Sequence, residues 1–314
     1  MIPFLLRRAV AAVVLVAIVC TAAFFLLFAV SSDPTSALLG NNPTDAQRAA
    51  LRAQLGLDQP VYVQYLRWIG GALHGDLGMT WSGGQPVLQV LATRLPVTLS
   101  IVIGALILSA AVGIVAGLYA GVHQGTAVDR TILGLSVAGF ALPSFWICLL
   151  LIYFFAITLH WLPATGYVPI ERSIDGWLSS IILPVVALSL GCVAALAQTL
   201  RTSTIEVYRQ DFVRTLRCRG LSERRILFTH VLRNAAPAGL TVLSLQFVGL
   251  IGGAVVVESI FALPGIGSFA SRSTMVGDLP AVLGVVVVSV IVVVVVNLLL
   301  DLAVAWINPK ARLS

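Results

Sequence analysis

The chain has 314 residues, of which 59% are hydrophobic and only 10% charged, with a formal net charge of +6. Soluble domains carry about 25% charged residues, so this composition excludes a free-standing water-soluble enzyme and calls for a lipid environment. Eight arginines between Arg201 and Arg233 stand against Glu206, Asp211 and Glu223. That net of +5 puts nearly all the excess charge in one loop between apolar runs, not on a nucleic-acid-binding surface.

Arg7 and Arg8 precede the first apolar run, residues 9–30. A signal-peptide core has about 7–15 residues and a spanning helix about 20, so this run predicts an uncleaved first spanning helix. The polar segment 31–95 follows. Thr44 with Gln47 is a capping-box pattern and Gly56 a stop, which predicts a helix over 45–55. Pro60 opens a second helix, with Val61, Tyr65, Trp68, Ile69 and Ala72 on one face. Residues 75–85 read as a Gly-rich loop. Residues 86–95 read as a helix lying in the interface, with Val87, Leu88, Leu91 and Leu95 toward lipid. The segment is expected to form a small external helical insert.

Five more apolar runs are long enough to span, at 96–119, 131–159, 177–200, 237–257 and 281–307. The last holds a nearly unbroken valine stretch, 285–296. Only helices satisfy their backbone within a segment in lipid, so it too is predicted helical. Six spans put both termini on one side. Arg7 and Arg8, Arg130, the 201–233 arginines, and Lys310 with Arg312 all fall on that side, which the positive-inside rule makes cytoplasmic. The opposite loops carry Glu171, Arg172 and Asp175, then Glu258, Arg272 and Asp278.

The cytoplasmic stretch 201–236 is the most informative. Asp211 is read as an N-cap and Gly220 as a left-handed stop, which encloses a two-turn helix over 212–219. Phe212 and Leu216 share a face. Ser222 is the next N-cap, with Glu223 in the first turn, and a longer helix runs to about Asn234 before Pro237 opens the fifth span. A helix of two turns is unstable alone in water, so it must pack on its own membrane domain, on a soluble partner, or on both. Attraction of a basic loop to anionic lipid is the simpler alternative, but needs no capped helix.

The run Asp211-Phe-Val-Arg-Thr-Leu-Arg-Cys-Arg-Gly220-Leu-Ser-Glu-Arg-Arg225, followed by His230-Val-Leu-Arg-Asn-Ala-Ala-Pro237, resembles the coupling loop of ABC importer membrane subunits. It is most similar to the dipeptide/oligopeptide permease family, as the first of its paired permease subunits. Leu55-Gly-Leu-Asp-Gln-Pro60, Tyr65-Leu-Arg-Trp68 and Gly75-Asp-Leu-Gly78 match that family's external segment. Arg94-Leu-Pro96 with Thr98-Leu99 matches the start of its second span. Glu258-Ser-Ile-Phe261 with Pro264-Gly-Ile-Gly267 matches the loop before the last span, and Asn297-Leu-Leu-Leu-Asp301 and Asn308-Pro309 match the end. Where the wider importer pattern has Glu-Ala-Ala, this chain has Arg214, Thr215 and Leu216. Leu216 and Cys218 replace usual alanines, which bears on how closely that edge approaches a partner.

The resemblance implies an all-α, six-helix type I importer permease. Its parts would be a first helix over 1–30, an external segment over 31–95, a five-helix core over 96–307 containing the coupling loop 201–236, and a cytoplasmic tail over 308–314. It implies a coupling helix formed by Asp211, Phe212, Val213, Arg214, Thr215, Leu216, Arg217, Cys218, Arg219, Gly220 and Leu221. It also implies a second homologous permease subunit, cytoplasmic ATPase subunits that bind ATP and Mg, and an external substrate-binding protein. No cofactor, metal or catalytic residue is expected on this chain, which lacks a phosphate-binding loop.

Charges within spans are costly, at about 2.5–3.5 kcal/mol each on insertion scales. Asp301 is the one charge well inside a span and is read as structural. Gln198, Gln246 and Asn297 offer either a polar path or hydrogen bonds between helices, and Glu258 is placed toward an external vestibule. Pro143 and Pro184 are candidate kinks. Cys20, Cys148 and Cys192 lie in apolar runs and Cys218 in the basic loop, with no metal or disulfide spacing. Three rivals remain: the same machinery with nickel or another small metabolite as cargo, an ATP-independent secondary carrier, and an intramembrane enzyme. The last two lack a mid-membrane ion relay and a convergent catalytic set, respectively.

Overall fold

The structure, a computed structural model, describes residues 2–30, 34–39 and 43–307. The tail with Asn308, Pro309, Lys310 and Arg312 lies outside the described residues. The helices are α1 (Ile2–Val30), α2 (Pro34–Leu39), α3 (Asp45–Leu55), α4 (Val61–Leu73), α5 (Val87–Val122), α6 (Ala127–Ala141), α7 (Ser144–Leu151), α8 (Ile174–Tyr208), α9 (Asp211–Cys218), α10 (Glu223–Arg225), α11 (Leu232–Ile260), α12 (Ile266–Met275) and α13 (Leu279–Ile307). Wider π-helical turns extend α7 over Ile152–Thr158 and join α10 to α11 over Ile226–Val231. Among the described residues the only strand-type pairing is one bridge, Met79 to Pro86.

Among the described residues, five helical stretches are long and apolar enough to cross a membrane: Val10–Ala29, Val87–Val122, Ile174–Tyr208, Glu223–Ile260 and Leu279–Ala303. The expected third span is not one straight helix. It divides into α6 and the α7 stretch, Ala127–Ala141 and Ser144–Thr158, which meet at 103° and make a sixth span if counted together. Pro143 causes the break. Its ring disfavours helical geometry at the preceding residue, and Leu142 is extended at φ −81°, ψ 126°.

The chain divides into two compact units. Of the described residues, the first comprises 2–4, 99–263 and 293–307, and the second 5–30, 34–39, 43–98 and 264–292. In the second, α3 has the reciprocal Thr44–Gln47 capping box and ends at left-handed Gly56, φ +69°. Phe24 of α1 packs between Tyr65 and Trp68 of α4, with ring centroids 5.3 and 5.7 Å away. Asp278 is buried, accepts from the Ser82 N–H and hydroxyl at 2.9 and 2.8 Å, and accepts from Ala281 N–H at the head of α13.

The expected interfacial helix over 86–95 is instead the first part of α5, which runs on through Pro96. At 36 residues α5 is about 54 Å long, far beyond the ~30 Å hydrocarbon core. Leu88 is exposed, but Val87 and Leu91 are fully buried against Leu77, Ile266 and Val285. A core was available to take them, which the 3.6-residue pattern alone cannot distinguish from lipid.

In the first unit α8 is the central helix, packed on α6, α7 and α11. Gly113, Gly117 and Gly121 of α5 face it at every fourth residue. A Cβ on them would come within 2.9 Å of Leu196, 2.7 Å of the Ala197 carbonyl and 2.7 Å of Thr204. Small residues at this spacing let two apolar helices approach backbone to backbone, which is how helices adhere in lipid.

Candidate functional site

The site is built where α8 leaves its bundle. Arg209 closes α8, and Gln210, extended at φ −74°, ψ 146°, is the N-cap of α9. The cap is therefore Gln210 and not Asp211, as sequence suggested. Asp211 is the first helical residue, where its charge favours the positive helix end, 3.5 Å from Arg214.

The other end of α9 is a Schellman motif. Gly220 sits at φ +77°. Its N–H donates to the Arg217 carbonyl at 2.9 Å, and Leu221 N–H donates to the Leu216 carbonyl at 3.3 Å. These are the two bonds that satisfy a helix C-terminus. Leu221 then turns back into the cluster under the helix.

That cluster explains why so short a helix is stable. Val213 is fully buried, and Phe212 and Leu216 are half-buried. They pack with Val207 and Tyr208 from the end of α8 and with Leu221, Ile226, Leu227 and Val231 beyond the turn. The apolar face of α9 is thus satisfied by its own chain. Leu216 points into this cluster, so its bulk does not stand on the outer face.

Arg217 closes the arrangement. Its Nε and a terminal nitrogen donate to both Glu223 carboxylate oxygens at 2.6 and 3.2 Å, and its guanidinium lies 5.5 Å from the Tyr208 ring centre. The Glu223 carboxylate raises the Arg217 pKa above its ordinary value. Both side chains are about half exposed, so the pair holds geometry more than it adds stability, about 0–1 kcal/mol.

The outward face is polar. Asp211, Arg214, Thr215 and Cys218 are exposed and recur at i, i+3, i+4 and i+7, one stripe along α9. Arg219 and Gly220 continue the exposed surface. α9 is thus a preformed helix held from behind by the cluster and polar in front.

A second feature, absent from the sequence reading, anchors α8 just before the site. Arg201 Nε and a terminal nitrogen donate to the two carboxylate oxygens of Asp129 at 2.5 and 2.8 Å. Asp129 Oδ2 also accepts from Gly125 N–H at 2.9 Å, and the Asp129 N–H donates to the N-cap Thr126 at 3.4 Å. Thr126 and Asp129 form the Thr-x-x-Asp helix-start signal; that was legible, while its pairing with Arg201 was not.

The four residues assigned to a substrate path lie on three helices. Gln198 lies on α8, Gln246 and Glu258 on α11, and Asn297 on α13. Gln246 and Glu258 are twelve residues apart, about 18 Å along one helix. The first two amides and Asn297 are half-buried, and the Asn297 Oδ1 atom is buried with no hydrogen-bond partner. Glu258 does not face an open vestibule as expected: it is fully buried, in the turn where Leu263 N–H donates to its carbonyl at 2.8 Å.

Residues 113–313 match the family model described as binding-protein-dependent transport system inner membrane component, and residues 1–102 match the N-terminal model of the same system. A Brucella abortus (strain 2308) chain, named as a candidate peptide transport system permease protein, is 38% identical over 312 residues, covering 99% of both chains. The dipeptide transport system permease protein DppB of Escherichia coli K12 is 32% identical, again covering 99% of both. Among solved structures, a chain of the MetNI methionine ABC transporter in an inward-facing form superposes with a TM-score of 0.56 at 15% identity, over 70% of this chain and 97% of that one. The fold is therefore the all-α type I ABC importer permease fold, and the chain belongs to the family of membrane-embedded inner membrane components of binding-protein-dependent transport systems.

Proposed function

We propose that this chain is the membrane-spanning subunit of an ATP-driven importer of di- and oligopeptides. The peptide cargo rests on full-length similarity at 32–38% identity to chains named for peptide and dipeptide transport. Its coupling role rests on α9, a helix whose apolar side is already packed and whose Asp211–Arg214–Thr215–Cys218 stripe remains free for a soluble partner.

In this reading both termini and α9 lie in the bacterial cytoplasm, as the arginine distribution favours. ATP and Mg bind partner ATPase subunits. Their closure pushes α9, and the Schellman turn, the Arg217–Glu223 pair and the Val213 cluster pass the movement to α8 and α11. A second, homologous permease completes the path, and an external binding protein delivers the peptide. Gln198, Gln246 and Asn297 contribute polar surface to that path.

The test is ATPase activity of the reconstituted complex. Stimulation by peptide-loaded binding protein, lost when this subunit is omitted, is the expected result. Hydrolysis indifferent to peptide and to this subunit would refute the proposal.

A further inference from the structure

An apolar groove of about 620 Å³ opens between α5, α8 and α11 in the first unit. Ile114, Leu196, Leu200, Ala236, Leu240 and Leu243 are among the residues that line it. The only charged residue on it is Arg233, at the end where the exposed Phe228 also stands.

We infer that this groove is a binding site for one anionic phospholipid, with an acyl chain along α11 and its phosphate on the Arg233 guanidinium. The dimensions match. From Arg233 to Leu243 is ten residues, about 15 Å of helix, which is the hydrocarbon depth of one leaflet. Arg233 and Phe228 then sit at headgroup level, where cationic and aromatic side chains anchor membrane proteins. The end that carries Arg233 is also the start of the fifth span, on the face with the arginine excess. There the leaflet is anionic and basic pockets between helices take acidic headgroups.

An acyl chain needs only apolar lining, which the groove supplies, and Arg233 supplies its one charge at the headgroup end. The site does not depend on peptide being the cargo, so failure of the cargo assignment leaves it standing.

The experiment uses the full transporter, purified in detergent, delipidated, and titrated with phosphatidylglycerol or phosphatidylcholine of identical chains, with bound lipid counted by native mass spectrometry. Wild type is expected to hold one phosphatidylglycerol about fivefold more tightly than phosphatidylcholine, the effect of one interfacial arginine. Arg233→Gln, an exposed position, should erase that preference while retaining weak binding of both lipids. Ala236→Phe, which adds a ring to the groove lining, should remove the site for both. Equal affinity of wild type for the two lipids, unchanged phosphatidylglycerol binding in both variants, or a Leu240→Cys cross-link to the other membrane subunit through the groove would each overturn the assignment.

Discussion

Arg201 of α8 holds Asp129 at the head of α6 through two hydrogen bonds, from Nε at 2.5 Å and from a terminal nitrogen at 2.8 Å. The two side chains are unequally buried, 19% exposed for Arg201 and 2% for Asp129. Removing either partner strands the other, but the consequences differ. Arg201→Ala leaves a buried carboxylate with only the Gly125 N–H and is expected to cost about 3 kcal/mol, toward the range for a broken buried pair. Asp129→Ala leaves an arginine that reaches water, and should cost nearer 1 kcal/mol. Thermal unfolding of both variants and the double variant in detergent checks the order. A double variant as unstable as the sum of the singles would show that the two residues do not act as a pair.

Gly220 tests whether the turn after α9 matters for coupling. Nothing lies within 4 Å of where its Cβ would stand, so the only penalty of a side chain is the backbone at φ +77°. That costs about 1–2 kcal/mol for an ordinary residue, while asparagine tolerates the conformation. Gly220→Val is expected to insert and assemble normally yet hydrolyse ATP without matching uptake, and Gly220→Asn to restore most of the coupling. Full coupled uptake by the valine variant would remove the turn from the mechanism.

The two faces of α9 should behave oppositely. Val213→Ala opens a hole in the buried cluster and should destabilise by roughly 1–3 kcal/mol. Thr215→Ala, on the exposed stripe, should change stability by less than about 0.5 kcal/mol while weakening ATPase association. Unfolding midpoints together with co-purification of the ATPase separate the two effects.

Cys218 provides a direct probe of that stripe. It is the exposed cysteine, whereas Cys20, Cys148 and Cys192 are buried. In the membrane subunit without its ATPase, maleimide should modify Cys218 fast and the other three slowly. Assembly with the ATPase should protect it. Rapid labelling of Cys218 in the complete complex would place the contact elsewhere.

These positions also show what the sequence could convey. Local signals were sufficient for α3, whose Thr44–Gln47 box and Gly56 stop are where the pattern placed them. They placed Gly220 correctly because only glycine takes that backbone freely. They failed where the deciding partner is distant. Val87 and Leu91 have a lipid-facing pattern, but Ile266 and Val285, nearly two hundred residues later, bury them. Glu258 and Asp278 counted as loop charges, yet both are buried. The Gly113–Gly117–Gly121 stripe has meaning only opposite Leu196, Ala197 and Thr204. The inward turn of Leu216 likewise needed the cluster built from Val207, Ile226 and Val231.

The central claim is ATP-coupled peptide import through a pair of membrane subunits of which this is one. The most direct measurement is uptake of a labelled dipeptide into proteoliposomes holding the complete complex, with its binding protein outside and ATP inside. Uptake that requires ATP and binding protein, and disappears when this subunit is left out, is the predicted result. Equal uptake without ATP would contradict the account and make the chain a secondary carrier.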